Sequence, residues 1–332
     1  MFYKRKIVFV LFVTILLASC KSHRESTIDQ KLQHQLDSAL QVSMKNVDID
    51  SAKIIVMSVK DAQIKAMIGV QKKDAKGTLS SFLPEQFNTK VEPGSLFIPF
   101  SIMAAIENGN ISAKDSVDTG NGMYNVEGSV ISDMSAFAGG YHNVEVSDCI
   151  YLPSNVGTVR TIEKSYGLNN KFLSDLVGMK LINASDIGKC SGKSSVAYIS
   201  IGYNLRLSPI QLIARYNAIL NGGQVLDPVI SHERNRIVAS KICSDKTSNV
   251  VREVLNKKGD LILEKCGIKQ RHLIGGTFGR TNCSDKQGKP YEIRSMCVYY
   301  PVINPQYICL VIRCGKHDFD MGLYRSVLNV LL

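Results

Sequence analysis

A chain of 332 residues with 45% hydrophobic and 21% charged side chains has the composition of an ordinary globular protein, which excludes a disordered or fibrous class. Its formal charge of +11 is spread over separated pairs such as Lys72/Lys73, Lys257/Lys258 and Lys286/Lys289 rather than gathered in one motif, so nucleic acid is not expected as a partner. A membrane surface or an anionic wall polymer suits that charge better, because the first residues point to export.

Lys4, Arg5 and Lys6 form a basic head, Ile7 to Leu17 an apolar run, and Leu17-Ala18-Ser19-Cys20 a cleavage box. The run is shorter than the roughly 20 residues that span hydrocarbon, so a lipid anchor is expected rather than a transmembrane helix. Residues 1–19 read as a lipoprotein signal peptide, 20–26 as the lipidated Cys20 and a tether, and 27–332 as the folded domain. After Cys20 come Lys21, Ser22, His23 and Arg24 with no acidic run, which favours the periplasmic face of the inner membrane over the outer membrane. The other eight cysteines contain no C-x-x-C pair and no histidine at ligand spacing. Buried thiols are expected, with no metal and no cofactor.

In chain order, Ile28, Leu32, Leu36, Leu40 and Met44 recur every four residues and predict an amphipathic helix from Thr27. Residues 52–70 hold two β-rich runs around Lys60-Asp61-Ala62-Gln63, which predicts a hairpin at a sheet edge. Glu92-Pro93-Gly94-Ser95 then punctuates the start of an apolar helix, Leu96 to Asn108, and presents Ser95 there. Five glycines make residues 115–143 a loop-rich stretch with short strands, and 144–182 reads as helices separated by Gly157 and Gly167. Ser208-Pro209 starts a helix that Gly222-Gly223 stops. Strands at Leu273 to Thr281, Ser295 to Val302 and Tyr307 to Arg313 precede a last helix from Met321. Strands at both ends with helices between imply a sheet completed by segments distant in sequence.

Five segments in this order carry a resemblance: Thr27-Ile28-Asp29, Val91-Glu92-Pro93-Gly94-Ser95-Leu96-Phe97, Ser154-Asn155-Val156-Gly157, Ile201-Gly202-Tyr203 through Ser208-Pro209-Ile210-Gln211-Leu212 to Asn221-Gly222-Gly223, and Tyr300-Pro301 with Asn304-Pro305-Gln306-Tyr307. The chain resembles the transpeptidase domain of class B penicillin-binding proteins, the division and elongation type, without that family's separate N-terminal pedestal. The resemblance implies a penicillin-binding transpeptidase or serine β-lactamase-like α+β fold. Its parts would be an antiparallel sheet flanked by helices and a mostly helical subdomain carrying Ser154 and Asn155.

The resemblance also fixes where the chemistry should sit, and all three motifs depart from it. The serine nucleophile needs a lysine three residues on, because i and i+3 share a helix face. Here Ser95 is followed by Ile98, which has no lone pair. The second motif aligns with Pro153-Ser154-Asn155, so Pro153 replaces the hydroxyl that relays a proton while Asn155 survives. The third aligns with Thr277-Phe278-Gly279-Arg280 and keeps only Gly279; Phe278 and Arg280 would take the places of two carboxylate-facing hydroxyls.

Ser95, Asn155, Gly279 and Arg280 remain as candidate ligand contacts, since an arginine pairs well with a carboxylate. Simpler roles stand beside these: a helix cap for Ser95, a turn brace for Asn155, an edge-strand charge for Arg280 and a surface position for His272. The resulting expectation is a catalytically inactive relative with a scaffold, regulatory or ligand-binding role in peptidoglycan synthesis or division. Its partners would be a stem peptide or β-lactam, cell-wall synthesis or division proteins, and the membrane through its lipid. The alternatives are an active D,D-transpeptidase or carboxypeptidase acting through Ser95 with an atypical base, and a β-lactam or muropeptide sensor.

Overall fold

The leading helical pattern becomes α1 (Gln30–Asn46) in a computed structural model that describes residues 26–332 apart from 47–48, 75–76, 232–235, 285–286 and 316–319. The signal segment, Cys20 and the tether through residue 25 lie outside the described residues. Asp29 Oδ1 accepts the Leu32 N–H at 3.0 Å and starts the helix. Leu36, Leu40 and Met44 are fully buried, and each such burial contributes roughly 1.5–3 kcal/mol.

Strands β1 (Ile49–Ser58), β2 (Ile64–Lys72) and β3 (Leu79–Ser81) follow, then α2 (Ile98–Asn108). The helix expected from Leu96 begins instead with a 3-10 turn, Gly94–Phe97. Pro99 lacks the N–H that would bond the Ser95 carbonyl in an α-helix, and the Ile98 N–H takes that carbonyl. The glycine-rich stretch holds β4 (Ser116–Asp118), β5 (Met123–Val126), β6 (Ser129–Ser132) and β7 (Asn143–Glu145). Helices α3 (Asp148–Tyr151), α4 (Asn155–Tyr166), α5 (Asn170–Gly178) and α6 (Gly192–Ser200) come next. Gly157 does not separate two of them but lies inside α4, where an added Cβ would sit 2.7 Å from Cys149 Sγ. Gly167 does end α4, at φ 64°.

Helix α7 (Pro209–Leu220) opens on a reciprocal cap: Gln211 N–H donates to Ser208 Oγ at 3.2 Å and Ser208 N–H to Gln211 Oε1 at 2.8 Å. After β8 (Val225–Leu226) and β9 (Ile237–Ala239) comes α8 (Asp245–Lys265), a 21-residue helix that the sequence reading passed over. Its signals were a Ser244 cap and a face of Val251, Val254, Leu255, Ile262 and Leu263. The polar start and the Lys257-Lys258-Gly259 interruption hid that face; Gly259 is there because a Cβ would stand 1.9 Å from the Ile274 carbonyl. Strands β10 (Gly275–Ser284), β11 (Pro290–Tyr300) and β12 (Tyr307–Gly315) and helix α9 (Gly322–Leu331) complete the chain.

The strands assemble in the order β10-β11-β12-β1-β2-β3, each neighbour antiparallel, so the first and last segments of the domain meet in one sheet as expected. The β1–β2 hairpin is not at the edge: Ile55 of β1 lies between Leu310 and Met67. Ile54 and Val56 pack in one cluster with α1 and α9, while Ile55 and Met57 pack in another with α2 and α7. A strand buried on both faces has little room for polar residues, which explains the unbroken run Ile54 to Met57. All eight described cysteines are free, and Cys149, Cys243, Cys266, Cys297 and Cys309 are buried. The arrangement leaves β10 as an outer strand beside the Gly94–Phe97 turn.

Candidate functional site

Close backbone packing places the first motif. Gly94 N–H donates to Gly202 O at 3.1 Å, and a Cβ on Gly202 (φ 81°) would fall 2.2 Å from the Gly94 carbonyl. A Cβ on Gly94 (φ 53°) would meet Thr281 Oγ1 at 2.1 Å and the Arg280 carbonyl at 2.2 Å, so only glycine fits either place. Tyr216 OH donates to Leu96 O at 2.5 Å and Ser101 Oγ to Ser200 O at 2.7 Å, which pins the turn and α2 from behind. Ser95 is left half-buried inside the turn. The cap position belongs to Pro93 and no side chain caps the turn, so Ser95 is not a helix cap. Ile98 is 1% exposed in the apolar core with Phe97 and Phe100.

The second motif is locked. Ser154, fully buried, donates from Oγ to Asp133 Oδ2 at 2.7 Å and accepts the Gly157 N–H at 2.8 Å, capping α4. It cannot turn toward the position of Pro153 without losing both bonds. Pro153 is exposed. Asn155 donates from Nδ2 to Ser132 O at 3.0 Å, while its Oδ1 is buried with no protein donor.

The third motif faces two ways. Thr277 is 1% exposed, and its hydroxyl turns to the Phe278 carbonyl at 3.2 Å. Gly279 lets β10 close on the first motif, since a Cβ there would be 2.5 Å from Leu96 Cγ. Phe278 does not join this surface; it packs edge-on against Tyr324 of α9, with ring centroids 5.5 Å apart. Arg280 is more than an edge charge. Its Nε lies 3.1 Å from Oε2 of Glu292, which is 3% exposed, as an ion pair rather than an aligned hydrogen bond. Arg294 binds the other oxygen of the same carboxylate. Arg280 Nη1 also reaches Met134 Sδ at 3.5 Å. Strand β10 thereby brings the motifs together: Gly279 touches the residue after Ser95, and Arg280 touches the residue after Asp133, which holds Ser154. His272 lies apart, 82% exposed and 3.1 Å from Asp260.

The family model of the penicillin binding protein transpeptidase domain matches residues 52–318. The chain belongs to that family. It is 23% identical over 346 residues to the peptidoglycan D,D-transpeptidase FtsI homolog of Mesostigma viride, covering 86% of this chain and 56% of the relative. To the probable peptidoglycan D,D-transpeptidase PenA of Neisseria flavescens it is 24% identical over 251 residues, 69% of this chain and 59% of that protein. The chain spans about half the length of the curated relatives it matches. Among solved structures, the apo transpeptidase domain of Burkholderia pseudomallei penicillin-binding protein 3 superposes with a TM-score of 0.73 at 19% identity, covering 92% of this chain and 95% of that one. Penicillin-binding protein 2X of Streptococcus thermophilus superposes at 0.75 with 17% identity, covering 92% of this chain and 51% of that one. These likenesses establish the transpeptidase fold.

The roles of three residues of this transpeptidase domain escaped the sequence reading. Asp133, 4% exposed, is the hub of the second motif; burial raises its carboxyl, and bonds from Ser154, Val156 and Asn155 oppose that rise. Tyr203 OH accepts the Asn282 N–H at 3.2 Å and closes part of the β10 edge. Lys258, 2% exposed on α8, donates to Ile150 O at 2.8 Å, in the short helix just before the second motif. Burial pushes that amine down to about 7. No local signal marks these roles, because each is defined by a partner far along the chain.

Proposed function

We propose that this protein is a non-catalytic member of the transpeptidase family, anchored in the cell envelope by a lipid on Cys20, that serves peptidoglycan synthesis or division as a scaffold or ligand-binding subunit. The observation that carries this reading is Ile98: the position three residues after Ser95 holds a buried hydrocarbon, so no amine there takes the hydroxyl proton. Two other buried polar groups are committed elsewhere, Ser154 to Asp133 and Lys258 to the Ile150 carbonyl. Losing the base alone typically costs two to four decades in rate, roughly 3–5 kcal/mol of barrier.

The buried Oδ1 of Asn155, which no protein group bonds, supports retention of ligand binding, since an orphan acceptor costs roughly 1–3 kcal/mol until a donor reaches it. A stem-peptide amide supplies such a donor. Incubation of the purified protein with a fluorescent penicillin, followed by intact mass, tests the catalytic half of the proposal: no adduct is expected on folded protein. A covalent adduct that Ser95→Ala abolishes would establish an active acyl-transfer site instead.

A further inference from the structure

We infer that the end of the sheet from which residue 26 emerges is a docking face for an anionic bilayer surface. The inference rests on the lipid anchor proposed at Cys20. Five segments are hydrogen-bonded together at this end. Thr27 N–H donates to Ile230 O at 3.1 Å, Val229 N–H to Ala62 O at 3.1 Å, Val59 N–H to Gln306 O at 2.9 Å and Val302 N–H to Leu273 O at 3.0 Å. These bonds align the start of the described chain, the segment around Val229, the β1–β2 turn, the β11–β12 turn and the approach to β10.

The resulting surface is apolar and basic at once. Ile303 is 76% exposed and Ile230 50% exposed. Lys60, Lys269 and Arg271 are exposed around them, Lys65 is half-exposed, and Lys265 closes the nearby end of α8. The acids Asp29, Asp61 and Glu264 offset this charge only in part, and Asp260 is taken by His272. Exposed aliphatic side chains within a basic rim match the boundary between acyl chains and anionic headgroups.

Covalent reach selects this end over any other. Five residues separate Cys20 from Ser26, and the six Cα-to-Cα steps between them cover at most about 20 Å when fully extended. A lipid on Cys20 therefore holds this end close to the headgroups, where each cation acts within a screening distance of about 10 Å at 0.1 M salt. Arg280 lies five residues along β10 from Gly275, about 17 Å above the proposed contact at about 3.4 Å per residue.

The chain has no tryptophan, so an introduced indole is a unique reporter. The full lipidated protein carrying Ile303→Trp is reconstituted on vesicles of phosphatidylglycerol and phosphatidylcholine with brominated acyl chains. Phe137→Trp, at a fully exposed position on the 3-10 turn Met134–Ala138, is the control. Expected are flotation with the vesicles, at least about two-fold quenching of the Ile303→Trp indole, and unchanged emission for Phe137→Trp. Adding Lys269→Glu and Arg271→Glu is expected to halve that quenching. Protein that floats with the Ile303→Trp indole unquenched, or with both indoles quenched alike, overturns the docking face and leaves the anchor standing. Protein that does not float overturns the anchor, and the docking face with it.

Discussion

Ser154 and Lys258 show how much a single buried polar group is asked to do. The Ser154 hydroxyl caps α4 and also donates to Asp133, so Ser154→Ala removes two bonds and leaves a buried carboxyl short of a donor. We expect a loss of roughly 1–3 kcal/mol, read as a lower urea midpoint at constant slope. For Lys258 the effect depends on pH. Its amine is at about 7 when folded and at its ordinary 10.5 when the chain is open. Between those values the unfolded chain holds a proton that the folded chain lacks. Stability therefore rises with pH across that window, by up to about 1.4 kcal/mol per unit, and this contribution is flat below about 7. Lys258→Met should lack the slope, with its advantage over the parent largest at pH 7 and below and shrinking toward pH 10. Parallel stability-pH curves for parent and variant would show that the amine stays charged when buried.

Among the elements, the junction of the Gly94–Phe97 turn, the Gly202 turn and β10 is set by backbone contacts rather than by side chains. Gly202→Ala drives a Cβ to within 2.2 Å of a carbonyl at a φ of 81°, with no flexible atom to give way. A destabilisation above about 3 kcal/mol is expected, measured by thermal melting. Alanine tolerated there would mean that the turns are not packed together. Local legibility of the elements followed the same physics. Helix α7 was readable because its cap and its stop are written in adjacent residues. Helix α8 was not, because its buried stripe is interrupted by Gly259, a residue required by the approach of β10. Gly157 was misread as a helix break because the sequence carries no sign of Cys149 lying against it.

At the scale of the whole molecule, the transpeptidase fold is kept at about a fifth of the residues identical, and the proposed loss of chemistry rests on the residues at positions 98, 153 and 277. On the proposed non-catalytic reading, a lysine placed at residue 98 alone should not produce acyl transfer. Ile98→Lys puts an ammonium at a site 1% exposed, while Pro153 and Thr277 still stand where the resemblance places the relay hydroxyl and the cation. The expected result is a lower melting temperature and no penicillin label; a labelled variant would mean that the base was the sole missing part. The order of the five scaffold segments and the identity of residues 98, 153 and 277 are covalent facts, so the family, and which side chains stand at those positions, were decided by the sequence alone. Which partner each surviving group has was decided only by the tertiary structure. Asp133 reaches Ser154 across 21 residues and Lys258 reaches Ile150 across 108, and β-register sets Arg280 beside Glu292 of the next strand. Such pairings follow from sheet register and helix packing, which no local spacing encodes.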